Sequence, residues 1–394
     1  MFRDLFAIPG LVLILTATSC SGPGETTSDS ALITVSPFTE GRFLWVDSSE
    51  IRFRDLTTQA STPLEKGGRV LYASVSPDRL HAVLAVESGS ESRLIVFSVE
   101  SLQSVELRTG SASLQYTGSW SPDGSRFAVG YYEPTVANDR PAMGTGDIEI
   151  ISLDDHAVRR LGCSSSKAVI SWPSSNELVV RSTDNLYRVS ETDCGTLQTT
   201  DIRRWTAITP SPDGRRLAYT FRELAFNSAT REYEPDSALF VVSVTDGDPV
   251  KIAGDRYRPR HATWSPDGSE IAFDVRVEPE SELRSISIYR LTTEETAYAF
   301  SPAASAPSKS HPEWNSDSQT LSYREDGERL FIQTPGTSFS TAVTVGDARS
   351  YANRLVGWLS STTALVSDSS ELVWMFDTAS QALEFVGSGT AIPF

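Results

Sequence analysis

Apolar residues in this chain come in short β-branched and aromatic bursts, never in a sustained helical period with caps. Three bursts, Phe127-Ala128-Val129, Leu217-Ala218-Tyr219 and Ile271-Ala272-Phe273, each follow a polar phrase and two variable residues. The phrases are Trp120-Ser121-Pro122-Asp123-Gly124, Pro210-Ser211-Pro212-Asp213-Gly214 and Trp264-Ser265-Pro266-Asp267-Gly268. Short apolar runs bounded by Pro, Asp and Gly predict strands separated by tight turns. In such a turn Pro presets φ, Asp bonds back to the backbone and Gly takes the positive φ.

Decayed copies extend the series. The residue before each Ser-Pro, or its remnant, is Val75, Trp120, Trp172, Pro210, Trp264, Trp314 and Trp358, with a fainter Val35-Ser36-Pro37 ahead of them. The mean spacing from Val35 to Trp358 is about 46 residues, within the range of propeller repeats. A second series of β-rich runs, from Ile51-Arg52-Phe53 to Leu372-Val373-Trp374-Met375-Phe376, also gives eight. Each unit reads as four strands: one ending at the anchor, one after the turn, the β-rich run and a weak outer strand. The expected fold is all-β, a single β-propeller of eight four-stranded blades, with seven as the alternative. Pairing of the first and last segments should close the ring, and the anchor Trp should fill the space between neighbouring blades.

These units resemble the propeller repeats of TolB-like proteins, whose recurring line is Trp-Ser-Pro-Asp-Gly-x-x-Ile-Ala-Phe. The resemblance spans about residues 31–390, strong in three copies and degenerate in five. The family's partner-binding role in the cell envelope does not carry over residue by residue, because the extra α/β domain found there has no room beside eight repeats. Propellers host many unrelated activities, so the resemblance implies fold more than function.

The N-terminus changes the picture of location. Residues 1–20 read as an export signal: Arg3, an apolar core from Leu5 to Leu15 too short to span a bilayer, then Ala17-Thr18-Ser19-Cys20. That ending resembles the lipobox of bacterial lipoproteins, which implies acylation of Cys20. A plain secretory signal and a buried N-terminal helix stay open. Residues 21–30 contain no large apolar side chain and read as a tether, leaving 31–394 for the propeller. Cys163 and Cys194 then remain as an even pair, able to form a disulfide in an exported protein or to stay free thiols. The net charge of −17 should repel nucleic acid and anionic headgroups and keep the protein monomeric. Contact with membrane is expected through the lipid alone.

Candidate chemistry is sparse. There is no Gly-x-Ser-x-Gly elbow, and Gly118-Ser119-Trp120-Ser121-Pro122 lacks the final Gly. The four histidines form no His-Glu-x-x-His, and Asp123, Asp213 and Asp267 suit turn capping better than calcium. Neither cofactor nor metal is expected. His261 and His311 each lie three residues before an anchor Trp, so they should be equivalent positions on neighbouring inner strands. The segments entering inner strands carry Arg203, Arg204, Arg256, Arg258 and Arg260, and the longest insertions run from Tyr131 to Gly146 and from Arg222 to Ser237. Both kinds of segment should share one face. The expected binding face therefore comprises Arg203, Arg204, Arg258, Arg260, His261, His311, Tyr131, Tyr132 and Tyr233, meeting an envelope protein or a small ligand. The expected function is a non-enzymatic envelope lipoprotein acting as a binding or scaffold module. The alternative is a secreted hydrolase or lyase with an unrecognised site at the channel mouth. Carboxylates or histidines gathered within hydrogen-bond reach would favour the alternative, and an open face lined by Arg and Tyr would favour binding.

Overall fold

Strands in the computed structural model follow the repeat closely. It describes residues 38–394 apart from 112, 138–139, 163–167, 203, 228–230, 246–247, 255–256, 280, 301–305, 338–339 and 346–349. These belong to one compact unit, Ser36–Phe394. Eight antiparallel four-stranded sheets form the blades of a β-propeller, and a two-stranded hairpin, Thr344–Val345 with Ser350–Tyr351, lies between blades 7 and 8. The inner strands of blades 2 to 8 are Arg69–Val75, Gln115–Trp120, Ala168–Ser174, Trp205–Pro210, Arg260–Trp264, Lys309–Trp314 and Arg354–Trp358. Each contains or ends on its expected anchor.

Blade 1 departs from the sequence reading. Its inner strand comes from the other end of the chain: Thr390–Pro393 pairs with Arg42–Val46, followed outward by Glu50–Asp55 and Ala60–Lys66. The faint copy at Val35 lies outside the described residues, and the place it was expected to fill is taken by the C-terminal strand. One C-terminal and three N-terminal strands thus close the ring, which leaves no unpaired inner edge.

Buried apolar side chains gather in the seams between blades. Among the described residues they form eight clusters, one per seam. Trp120 packs on Val83, Ala85, Leu94 and Val96 of blade 2; Trp314 packs on Ala272, Ile286 and Ile288 of blade 6. Two anchor indoles also reach back by hydrogen bond: Trp120 Nε1 donates to Ser74 Oγ (3.0 Å) and Trp264 Nε1 to the Thr209 carbonyl (3.1 Å), whereas Nε1 of Trp172, Trp314 and Trp358 has no partner. In the five blades anchored by Trp a plate therefore covers the blade before it, and a unit of four strands needs its neighbours to bury its faces.

The Ser-Pro-Asp-Gly turn is self-contained. Ser121 Oγ donates to Asp123 Oδ1 (2.5 Å) and accepts from Arg126 N (3.0 Å), while Asp123 also accepts from Ser125. These bonds hold the Asp123 carboxyl down to about 2. The same network recurs at Ser211 and Ser265 and at the degenerate Ser76. Gly124, Gly214 and Gly268 sit near φ 70°, and Arg79 and Ser318 adopt similar positive φ where the glycine has been lost. Turn geometry outlives the residue that suits it best.

Candidate binding site at the channel mouth

Inner strands surround the central channel, and their first residues stand on the face shared with the hairpins joining strands two and three. In blades 5, 6 and 7 the pairing slips between the first and second strands, at Thr206/Thr209, Arg260/Thr263 and Ser310/Glu313. The residue three before the anchor there, Ala207, His261 or His311, has φ near +50°. A non-glycine residue in this region is uncommon. Since Ala207 shares it, the bulge belongs to the repeat, and the histidines are what distinguishes blades 6 and 7.

The bulges bring His261 and His311 together across the seam, rings stacked with centroids 3.6 Å apart and 23° between planes. Beneath them lies a residue that motif reading missed, Asp274, on the second strand of blade 6 (Glu270–Arg276) and fully buried. His261 Nδ1 lies 2.5 Å from Asp274 Oδ1, and the His311 amide donates to the same oxygen at 3.4 Å. Arg284 Nε donates to Asp274 Oδ2, and Arg284 Nη2 donates to the carbonyls of Asp274 (3.1 Å) and Arg258 (2.5 Å). Burial pushes the Asp274 carboxyl up, but the His261 hydrogen bond and the Arg284 charge outweigh it and hold the pKa low. Asp274 thus ties blade 6 to blade 7. With Nδ1 on Asp274, the other ring nitrogen of His261, Nε2, makes no hydrogen bond among the described residues.

The surroundings are cationic. Burial, the His261 ring and the charge of Arg324 hold the His311 imidazole down to about 4, so it is neutral near pH 7. Glu313 projects into the cavity, open to solvent yet surrounded by protein. This desolvation pushes its carboxyl pKa up, against the pull of Arg354 and Arg324. Arg276 is buried; Nη1 donates to the Pro279 carbonyl at 2.9 Å, Nη2 pairs with Glu282, and Nε has no partner. Its pKa is lowered by burial and by the charges of Arg258, Arg284 and Arg260, with Glu282 opposing. The cavity beside the histidines measures about 370 Å³ and is lined by His261 to Trp264, Pro266 and His311 to Trp314. That is large enough for a small organic molecule. Among the described residues, no group of three or more His, Cys, Asp or Glu is placed to hold a metal ion.

Of the residues expected on the face, the structure gathers Arg258, Arg260, His261 and His311. Arg204 sits beside blade 5 with its guanidinium over the Phe221 ring at 4.6 Å. Tyr131 is a correction: it is buried in blade 3, its hydroxyl donating to Glu149 (3.1 Å) with Arg108 over its ring (4.0 Å). The reason is strand alternation, which points Tyr131 into the blade 2–3 seam. Tyr132 is half-buried, its hydroxyl 3.4 Å from Gln115 Oε1. Tyr233 lies on a paired strand (Glu232–Ser243), its side chain outside the described ones. Arg203, Arg256, Cys20 and Cys163 also lie outside the described residues, as does the tether at 21–30. Cys194 is disulfide-bonded. The insertions expected as loops are extended hairpins, paired out to Ala137↔Arg140 and Asn227↔Glu232.

No protein-family model and no curated protein matches the chain. Solved structures do. Dihydro-heme d1 dehydrogenase NirN in complex with DHE aligns with a TM-score of 0.59 at 14% identity, covering 92% of this chain and 76% of that one. The β-propeller domain of the Trilobed protease from Pyrococcus furiosus aligns with a TM-score of 0.50 at 11% identity, covering 80% and 94%. A putative TolB from Agrobacterium tumefaciens aligns at 0.41 and 13%, covering 77% and 92%. At these identities the likeness concerns the fold alone.

Proposed function

We propose that this chain is an extracytoplasmic binding propeller, tethered to a membrane by an acylated Cys20, whose recognition site is the channel mouth of blades 6 and 7. The observation that carries the reading is the stacked His261–His311 pair over buried Asp274, bordered by Arg258 and Arg260. Loops and strand ends on a rigid scaffold are where binding groups are expected, and the buried Asp274–Arg284 support fixes the histidines in place.

Affinity capture from envelope extract with the full chain tests the site. The Arg258→Ala/Arg260→Ala protein should lose most of the species that the parent retains, and an identical capture pattern would sink the reading. Cys20→Ala should move the protein from the membrane to the soluble fraction; continued membrane retention would remove the anchor.

One observation favours the second reading, a hydrolase or lyase. The Asp274–His261 pair leaves an imidazole nitrogen free at a cavity, the arrangement of a general base. Against it, the hydroxyl that touches a histidine is Ser310 on His311 Nδ1 (3.1 Å), not on the Asp-paired ring. Under this reading His261→Ala would abolish turnover of a substrate that the protein still binds.

A further inference from the structure

Three consecutive blades place one arginine each at the same level of the channel mouth. Arg260 and Arg354 both stand four residues before their anchor, at the first position of the inner strands of blades 6 and 8. In blade 7 that position is Ser310, and its cross-strand partner is Arg324. Among the described residues none of these three guanidiniums has a hydrogen bond or salt bridge, and Arg260 and Arg354 are exposed. Elsewhere the arginines divide: among the described residues Arg181, Arg215, Arg216 and Arg231 also lack a carboxylate within 4 Å. Arg93, Arg108, Arg126, Arg159, Arg188 and Arg290 all pair with carboxylates within 4 Å. In a protein with 51 acidic and 34 basic residues these three arginines form no salt bridge, and the carboxylate that Arg354 and Arg324 act on is Glu313.

We propose that the mouth of blades 6 to 8 binds a small organic anion bearing at least two carboxylate or phosphate groups, clamped between Arg260 on one side and Arg324 and Arg354 on the other. The proposal rests on the binding reading of this face and names its ligand chemistry. A guanidinium fork matches carboxylate and phosphate oxygens in two-pronged fashion. Three such forks on separate blades call for more than one anionic group. The His261–His311 stack offers a flat wall between the forks, and Glu313 can hydrogen-bond a ligand hydroxyl. The cavity of about 370 Å³ adjoins the clamp through His261, His311 and Glu313, which line it. A long polyanion is disfavoured by the charge of −17 on the whole chain, whereas a compact anion feels chiefly the local arginines.

Calorimetric titration of the purified full chain at low salt tests this, with citrate as the carboxylate probe, fructose 1,6-bisphosphate as the phosphate probe and acetate as the singly charged control. Citrate or the bisphosphate should bind at least about tenfold more tightly than acetate, the size of one charge-assisted hydrogen bond. Arg324→Gln/Arg354→Gln should weaken that probe at least about tenfold, while Arg69→Gln, on the opposite arc, leaves it unchanged. These side chains are unpaired, so the variant should melt with the parent; Arg324→Lys/Arg354→Lys, which keeps charge but loses the fork, should give an intermediate affinity. The probe that binds identifies the anionic group. Binding of neither probe, or binding indifferent to the double substitution, overturns the proposal. If the probes fail while envelope capture still depends on Arg258 and Arg260, the face remains a binding site and only its anionic ligand is removed. Failure of both removes the binding reading as well.

Discussion

At the scale of single residues, His261 and His311 show how little a side chain's identity says without its setting. Both occupy the same bulge, yet His261 has a carboxylate on its ring and His311 does not. His311 contributes its own pH dependence. Its folded pKa is held down to about 4, whereas an unfolded histidine titrates near 6.5. Between those values the unfolded chain binds the extra proton, so stability falls as pH is lowered from about 6.5 to 4 and changes no further on this account below that. Urea-unfolding midpoints should decline over that window, and His311→Asn should flatten the decline. An unchanged slope in the variant would place the acid sensitivity elsewhere. The spacing of His261 and His311 to their anchors was enough to predict them as equivalent and adjacent. Asp274 was not legible, because an Asp in an apolar strand carries no motif. Only cross-strand geometry places it beneath the histidines.

Elements are governed by the anchor tryptophan and its turn. A strand that ends on Trp314 covers the apolar side of blade 6, so the seam beneath the candidate site depends on it. Removing a buried indole costs about 3–5 kcal/mol through lost burial and the cavity left behind. Trp314→Ala should therefore lower the melting temperature clearly and loosen the His261–His311 stack, seen as increased hydrogen exchange at the start of the inner strands of blades 6 and 7. Exchange unaltered at those strands would show that the site is held by Asp274 and Arg284 alone. The periodic phrase also explains why Tyr131 was misplaced. Long insertions read as loops, but the strands simply continue into them, and period-two alternation carries Tyr131 inward.

For the whole molecule, closure is the decisive event. Thr390–Pro393 completes blade 1, and Phe394 packs against Phe53 and Phe97 with ring centroids 6.1 and 5.9 Å away. Deleting residues 390–394 would expose the edge of Arg42–Val46 and the seams on both sides of blade 1. The truncated chain should unfold at markedly lower urea and aggregate more readily, measured by fluorescence and light scattering; a midpoint equal to the parent's would mean that the ring does not need its closing strand.

By itself the sequence determined the all-β fold, the eight units, the turns and the alignment of the two histidines, because all of these follow from local rules of strand period, turn residues and repeat spacing. Only the tertiary structure decided which end of the chain supplies the inner strand of blade 1. It alone placed Asp274 and Arg284 under the histidines and stood Arg260, Arg324 and Arg354 on one rim. Those relations join residues tens to hundreds of positions apart. They are set by ring closure and by contacts across seams, which no local pattern encodes.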